Sequence, residues 1–288
     1  FILIEMKAHR SVFRFRDGAI PSAGSCARER AFTIAELVAV LAVIVLLGSL
    51  RWVARANATG QSRVAYCFDN QRQLTLAWLM YAAENGDRLP GNLDGGDAQN
   101  PASTNRSWCA GWFDFAGATA DTNILLLTQG QLGRYTRSPR VYKCPEDTSL
   151  SRGRTGPPRV RSVSMNGYVG ERSGPFSSGY RQFRKLSEIV DPVPAKAFVF
   201  IDEREDSIND PLFQISMDSY SPSRPPAYAI VDYPADWHNR GTTLSFADGH
   251  VELWRWQDER TMPLHRPGVL MPLNIPSPNN PDVARIQE

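Results

Sequence analysis

The hydrophobic pattern of the chain changes period twice. From Phe32 to Leu50 (FTIAELVAVLAVIVLLGSL) apolar residues run without alternation, and the only charge is Glu36 near the start. A run of this length predicts a membrane-spanning helix, within which an ionisable side chain is a functional candidate by default. From Val64 onward a period appears: Val64, Cys67 or Phe68, Gln71, Leu74, Trp78 and Tyr81 recur at three- and four-residue steps, one stripe of an amphipathic helix. Together they predict a helix over 32–83. Asn57-Ala58-Thr59-Gly60 is a stretch of weaker helix formers where it bends or frays.

Beyond the helix the pattern turns to breakers and short apolar runs. Residues 86–105 are rich in Gly, Asp and Asn and read as an exposed loop. Trp108, Trp112, Phe113 and Phe115 follow as core or helix-docking aromatics. Asp121 or Thr122 caps a short helix over 124–127. Strands are predicted at 141–145, 159–169 and 197–201, the last almost wholly apolar, as a strand covered on both sides would be. Asp248-Gly249 between 243–247 and 250–254 is a two-residue hairpin signal. That turn sets Ala247 opposite His250, Phe246 opposite Val251 and Leu244 opposite Leu253, so that Leu244, Phe246, Val251 and Leu253 line one face. After Trp256 the chain becomes Pro- and Asn-rich, an extended or disordered tail. The expected fold class is α+β, with a long N-terminal helix, membrane-spanning in its first half, packed on an antiparallel sheet. The expected divisions are 1–31, 32–83, 84–260 and 261–288.

Charge alters this picture at one end only. The formal net charge is +2, and no basic run follows the apolar stretch, so no nucleic-acid partner is expected. Before it, Lys7, Arg10, Arg14, Arg16, Arg28 and Arg30 outnumber Glu5, Asp17 and Glu29. A basic flank places the N-terminus inside and the following domain outside. Intrinsic catalysis is not expected: there is no Gly-x-Ser-x-Gly turn, His-Glu-x-x-His helix or phosphate-binding Gly-rich loop.

Ala31-Phe32-Thr33-Ile34-Ala35-Glu36-Leu37 resembles the processing motif of type IV prepilins and type II secretion pseudopilins. The resemblance implies a leader over 1–31, cleavage between Ala31 and Phe32 by a prepilin peptidase, methylation of the new amine on Phe32, and Glu36 as the assembly carboxylate. The family usually carries Gly where this chain has Ala31. Cys67 to Leu74 with Met80, Tyr81, Ala82 and Asn85 resembles a large bacterial subfamily of such proteins. His238, nine residues, then Asp248-Gly249 resembles its C-terminal H-X9-DG motif. The resemblance covers roughly residues 31–258.

From this the expected protein is a non-enzymatic, pilin-like subunit, processed and then assembled through its N-terminal helix into a type IV pilus-like filament or a type II secretion pseudopilus. Its implied partners are the peptidase, like or related pilin subunits and inner-membrane assembly machinery. Its implied location is single-pass in a bacterial inner membrane, with the C-terminal domain in the periplasm or at the cell surface. The alternative is a membrane-anchored surface binding module for a cation or glycan that does not polymerise. Cys26 would be lost with the leader, and Cys67 and Cys144 fall on positions that recur in the subfamily, which implies their pairing and leaves Cys109 free. Three free cysteines are the alternative. His238 and Asp248 are given structural roles, pinning a loop and shaping the turn. No cofactor is called for. Asp202, Glu203 and Asp206, with Asn209, Asp210 and His238, form an oxygen-rich set that would suit Ca2+, weighed against the solvated acidic loop that such residues ordinarily make.

Overall fold

The amphipathic stripe and the short apolar runs condense into a helix against a sheet. The computed structural model describes residues 33–117, 119–172, 180–218, 220 and 224–288, with the side chains of 47–62 left undescribed. The chain divides into two units, residues 1–54 and 55–288. Helix α1 is Ile34–Glu84, and the division falls within it. In the first unit its described residues are all exposed. In the second, Cys67, Gln71, Leu74, Trp78 and Ala82 are buried, each three or four residues from the last, as one helical face requires.

Short elements follow: α2 (Gly95–Gln99), α3 (Leu125–Thr128), the two-stranded pair β1 (Leu150–Arg152) and β2 (Thr155–Pro158), then β3 (Val163–Asn166), β4 (Phe198–Asp202), β5 (Leu212–Phe213), β6 (Ala229–Ile230), β7 (Gly241–Phe246), β8 (Val251–Arg255), β9 (Ile275–Pro276) and α4 (Pro281–Gln287). The main sheet has the order β5-β3-β4-β7-β8. Its β3–β4, β4–β7 and β7–β8 pairs are antiparallel and its β3–β5 pair is parallel.

Two apolar clusters involve the sheet. One joins Leu74, Trp78 and Ala82 of α1 to Val163, Met165, Val199 and Phe200. The other holds Phe198, Ile201, Leu244, Phe246, Trp254 and Trp256. Strict alternation cannot produce this division of β4, because Val199 and Phe200 are neighbours in one cluster while Phe198 and Ile201 share the other. The register supplies the reason: Phe198 pairs with Phe246 but Phe200 with Ser245, a bulge that adds one residue to β4. Downstream of it Asp202 shares a face with its β3 partner Val163, the face turned to α1.

Several expectations are corrected. The sheet is mixed rather than antiparallel. Among the described residues no helix is long and apolar enough to cross a membrane. Of the expected architecture, the membrane-spanning first half and the antiparallel sheet are overturned on these grounds, whereas the long N-terminal helix is α1. The transmembrane anchor and the single-pass inner-membrane location fall with the membrane-spanning half. Residues 139–142 form a 3-10 turn, not a strand, started by Ser138, whose side chain accepts from the Arg140 N–H, and by Pro139.

The hairpin register differs by one residue, with Ser245 opposite Val251, Leu244 opposite Glu252 and Thr243 opposite Leu253. The loop is three residues long, closed by the Phe246 N–H on the His250 carbonyl (3.0 Å) and the Gly249 N–H on the Phe246 carbonyl (2.9 Å). Gly249 at φ 96° takes the left-handed position that this loop needs. A one-residue slip exchanges faces, so Glu252 and Trp254, not Val251 and Leu253, stand beside Leu244. The tail is folded: β9 pairs with β6, the Asn280 side chain caps α4, and Val283 packs with Tyr228, Ile230 and Tyr233.

Leu74 is fully buried between helix and sheet. Leu74→Ala is therefore expected to lower unfolding stability by about 3 kcal/mol, read as a shift of the urea midpoint with an unchanged slope.

Candidate functional site

Four separate segments bring sulfur, imidazole and carboxylate together beneath α1. Cys67 lies on the buried stripe of the helix and is joined by a disulfide to Cys144, with a Cα–Cα distance of 5.4 Å. Cys144 follows the 3-10 turn and is held there by its neighbours. Its N–H donates to Ser162 Oγ at 2.8 Å, and Asn70 Nδ2 of α1 donates to the Lys143 carbonyl at 3.0 Å. His238 is buried in the loop before β7, its N–H on the Gly241 carbonyl at 3.1 Å and its Nε2 3.3 Å from Cys144 Sγ. Asp202 ends β4 and accepts from Thr243 Oγ1. One ligand-capable atom from each of Cys67, Cys144, Asp202 and His238 lies within 4.8 Å of the others, and all four residues are buried.

Burial dominates the electrostatics here. It pushes the Asp202 carboxyl up to about 7, against the opposing hydrogen bond from Thr243, and holds the His238 imidazole below its ordinary value. At neutral pH His238 is therefore uncharged, with a ring nitrogen able to bond to a cation. Cys109, the free thiol among the described residues, is buried and pushed up to about 12, which makes it inert as a nucleophile.

Among the described residues the acidic residues grouped by their nearness in sequence do not form one ligand cluster. Asp206 accepts from Arg204 Nε and Nη2 at 2.5 and 2.9 Å and from the Arg266 N–H at 2.9 Å. Glu203 accepts from Ser207 Oγ at 2.7 Å, and burial pushes it up to about 8. Asp210 accepts from the Leu212 and Gly95 N–H groups at 2.9 and 3.1 Å. Adjacent strand residues point to opposite faces, which separates Glu203 from Asp202. That alternation was the available signal that Asp202 and Glu203 belong to different faces.

Asp248 stays in its turn, where Oδ1 accepts from the His250 N–H at 3.1 Å and meets the His250 ring. His238 instead lies against the disulfide. Trp108 stacks on Tyr142 with ring centroids 5.6 Å apart, and Arg161 lies 4.7 Å over the Phe113 ring, so these aromatics serve packing. Ala31 and Phe32 lie outside the described residues. Glu36 forms a capping box with Thr33: Glu36 Oε2 accepts from the Thr33 N–H and Oγ1, both at 2.8 Å, and the Glu36 N–H donates to Thr33 Oγ1 at 3.2 Å.

A second ionic cluster sets a pH dependence. His265 Nε2 and Nδ1 lie 2.8 and 3.2 Å from Asp236 and Glu205, and these bonds push the imidazole up to about 9 from 6.5. Because the folded value exceeds the unfolded one, the stabilisation is complete below about pH 6.5 and is lost as pH rises through 9. Asp202 and Glu203 act in the same direction at lower pH, being raised from 3.8 and 4.5 to about 7 and 8. The urea midpoint is expected to fall between about pH 6.5 and 9.5, and His265→Gln to flatten that fall.

The disulfide closes a loop with a sequence separation of 77, for which chain entropy gives about 4 kcal/mol. Reduction in the presence of a chelator is expected to lower unfolding stability by that order, measured by urea titration with and without reductant.

No family model, curated protein or solved structure matches this chain.

Proposed function

We propose that this chain is a non-enzymatic, pilin-like assembly subunit that packs against copies of itself, or against related pilin subunits, through the N-terminal part of α1. One observation carries the reading. Ile34, Leu37, Val38, Val40, Leu41, Val43, Ile44, Val45 and Leu46 are between 47% and 83% exposed. At 100° per residue they surround the helix rather than forming one stripe. A helix that is apolar all round calls for apolar cover on every side, and the cover proposed is the same segment of neighbouring subunits.

The resemblance of residues 31–37 to a prepilin processing motif supports the same reading. Cleavage before Phe32 by a prepilin peptidase would free an amine that can pair with Glu36 of an adjacent helix. A binding module built on the acidic residues draws less support, because Asp202, Glu203 and Asp206 are buried and hydrogen-bonded within the domain.

The capping box makes the choice of variant decisive. Glu36→Gln keeps an acceptor for the Thr33 N–H but removes the charge, whereas Leu41→Asp leaves the cap and breaks the apolar surface. The processed chain is expected to form concentration-dependent assemblies by analytical ultracentrifugation and in sheared preparations. Leu41→Asp is expected to weaken association on the order of 100-fold, equivalent to ~3 kcal/mol. Glu36→Gln is expected to lose assembly while still being processed. Monodisperse behaviour of the processed parent chain at every concentration would defeat the reading, and wild-type assembly by Glu36→Gln would remove the role given to the carboxylate.

A further inference from the structure

We propose that the cluster of Cys67, Cys144, His238 and Asp202 is a redox-gated zinc site, closed by the disulfide when oxidised and by Zn2+ when reduced. The inference stands on the geometry of the cluster and does not depend on the assembly role of α1.

The four donors come from α1, the segment after the 3-10 turn, the loop before β7 and the end of β4, and they already lie within 4.8 Å of one another. A tetrahedral site with bonds of 2.0–2.3 Å has ligand edges of roughly 3.3–3.8 Å. The imidazole and carboxylate donors therefore need to close in by about 1 Å, and the two sulfurs, once reduced, to part from a bonding distance of ~2 Å to ~3.8 Å; His238 Nε2 is already 3.3 Å from Cys144 Sγ. Two sulfurs, one imidazole and one carboxylate form a soft and borderline set, which selects zinc over calcium or magnesium.

A disulfide by itself needs neither an imidazole nor a carboxylate. A carboxylate beside it is costly to bury unless it is paired, and here its side-chain partners, Thr243, Gln71 and Ser162, are all uncharged. A divalent cation supplies the missing charge. The outer contacts also fit a ligand role: Thr243 Oγ1 orients Asp202, and Ser162 Oγ holds the Cys144 backbone.

The interconversion balances. A dithiol reductant delivers two electrons and two protons; the Cys67–Cys144 S–S bond breaks, two S–H bonds form, and the reductant leaves as its own disulfide. Zn2+ then replaces the two thiol protons, and the Asp202 proton where it is present, forming two Zn–S bonds, one Zn–O bond and one Zn–N bond to neutral His238. Reoxidation by a small-molecule disulfide would transfer two electrons from the thiolates to it, re-form the Cys67–Cys144 S–S bond, release Zn2+ and leave the oxidant as two thiols, their protons taken from solvent.

The test uses the full chain, anaerobically reduced, with Co2+ as a spectroscopic probe and Zn2+ as competitor. The expected result is one Co2+ per chain with sulfur-to-cobalt charge-transfer absorption and tetrahedral d–d bands, both abolished by Zn2+. The oxidised chain should show neither. Cys67→Ser and Cys144→Ser should lose the charge-transfer intensity of one sulfur each, and Asp202→Asn and His238→Ala should weaken binding at least tenfold, while Cys109→Ala should leave the spectrum intact. Should the reduced chain unfold without metal, recovery of its circular dichroism on adding Zn2+ supports the site. A reduced chain that gives no thiolate–cobalt band, that stays unfolded with Zn2+, or whose Asp202→Asn and His238→Ala variants bind as the parent does overturns it.

Discussion

Leu74, Trp78 and Ala82 of α1 lie against Val163, Met165, Val199 and Phe200 of the sheet, and the Cys67–Cys144 bond ties the same helix to the segment beside β3. This seam is what the rest of the larger unit is built on. It buries one helical face and one sheet face at once, the arrangement by which a helix and a sheet dispose of their apolar sides. It also decides which polar groups must live without water. Asp202, Thr243 and Gln71 are caught at its edge, and Gln71 Nε2 reaches the Thr243 carbonyl at 3.5 Å. The chemistry beneath the helix follows from the packing.

One buried ion pair elsewhere shows how such groups are satisfied. Arg204 and Asp206 satisfy each other in a two-point contact, and Arg204 Nη1 also reaches the Pro263 carbonyl at 2.8 Å. That contact anchors residues 263–266 to the domain, with the Arg266 N–H on Asp206. The C-terminal segment owes its order to polar bonds as much as to apolar cover. Asp282 accepts from the Gln257 and Asp258 N–H groups and from Thr261 Oγ1, and Gln287 Nε2 donates to the Ser216 carbonyl at 2.7 Å. Such partners are long-range, and composition alone does not disclose them.

The parts of the fold that were legible in the sequence are those with a strong local period. The α1 stripe showed in the spacing of Cys67, Gln71, Leu74 and Trp78, and β4 showed in the apolar run ending at Ile201. The register of the last hairpin was not legible, because Asp248-Gly249 serves both a two-residue and a three-residue loop, and the choice is made by Gly249 and the bonds of Asp248 to His250. The candidate site was half legible. Its cysteines and histidine stood out by their resemblance to a family pattern, whereas Asp202 was grouped with Glu203 and Asp206 because they are neighbours along the chain. Three-dimensional convergence of four distant segments leaves no periodic trace.

The extra residue in β4 has a consequence for how this domain can change over time. A strand with strict alternation carries a parity, and the bulge between Phe198 and Phe200 inverts it for everything downstream. With that residue absent, strict alternation returns with the other partners in place: Phe198 opposite Phe246, Phe200 opposite Ser245, Ile201 opposite Leu244 and Asp202 opposite Val163. Deletion of Ile201, beyond the bulge, would instead move Asp202 into the place beside Leu244 and present Glu203, one methylene longer, to the sulfurs and His238. Lineages that keep Asp202 in that position must keep the length of β4 after the bulge, while the bulge itself can be lost.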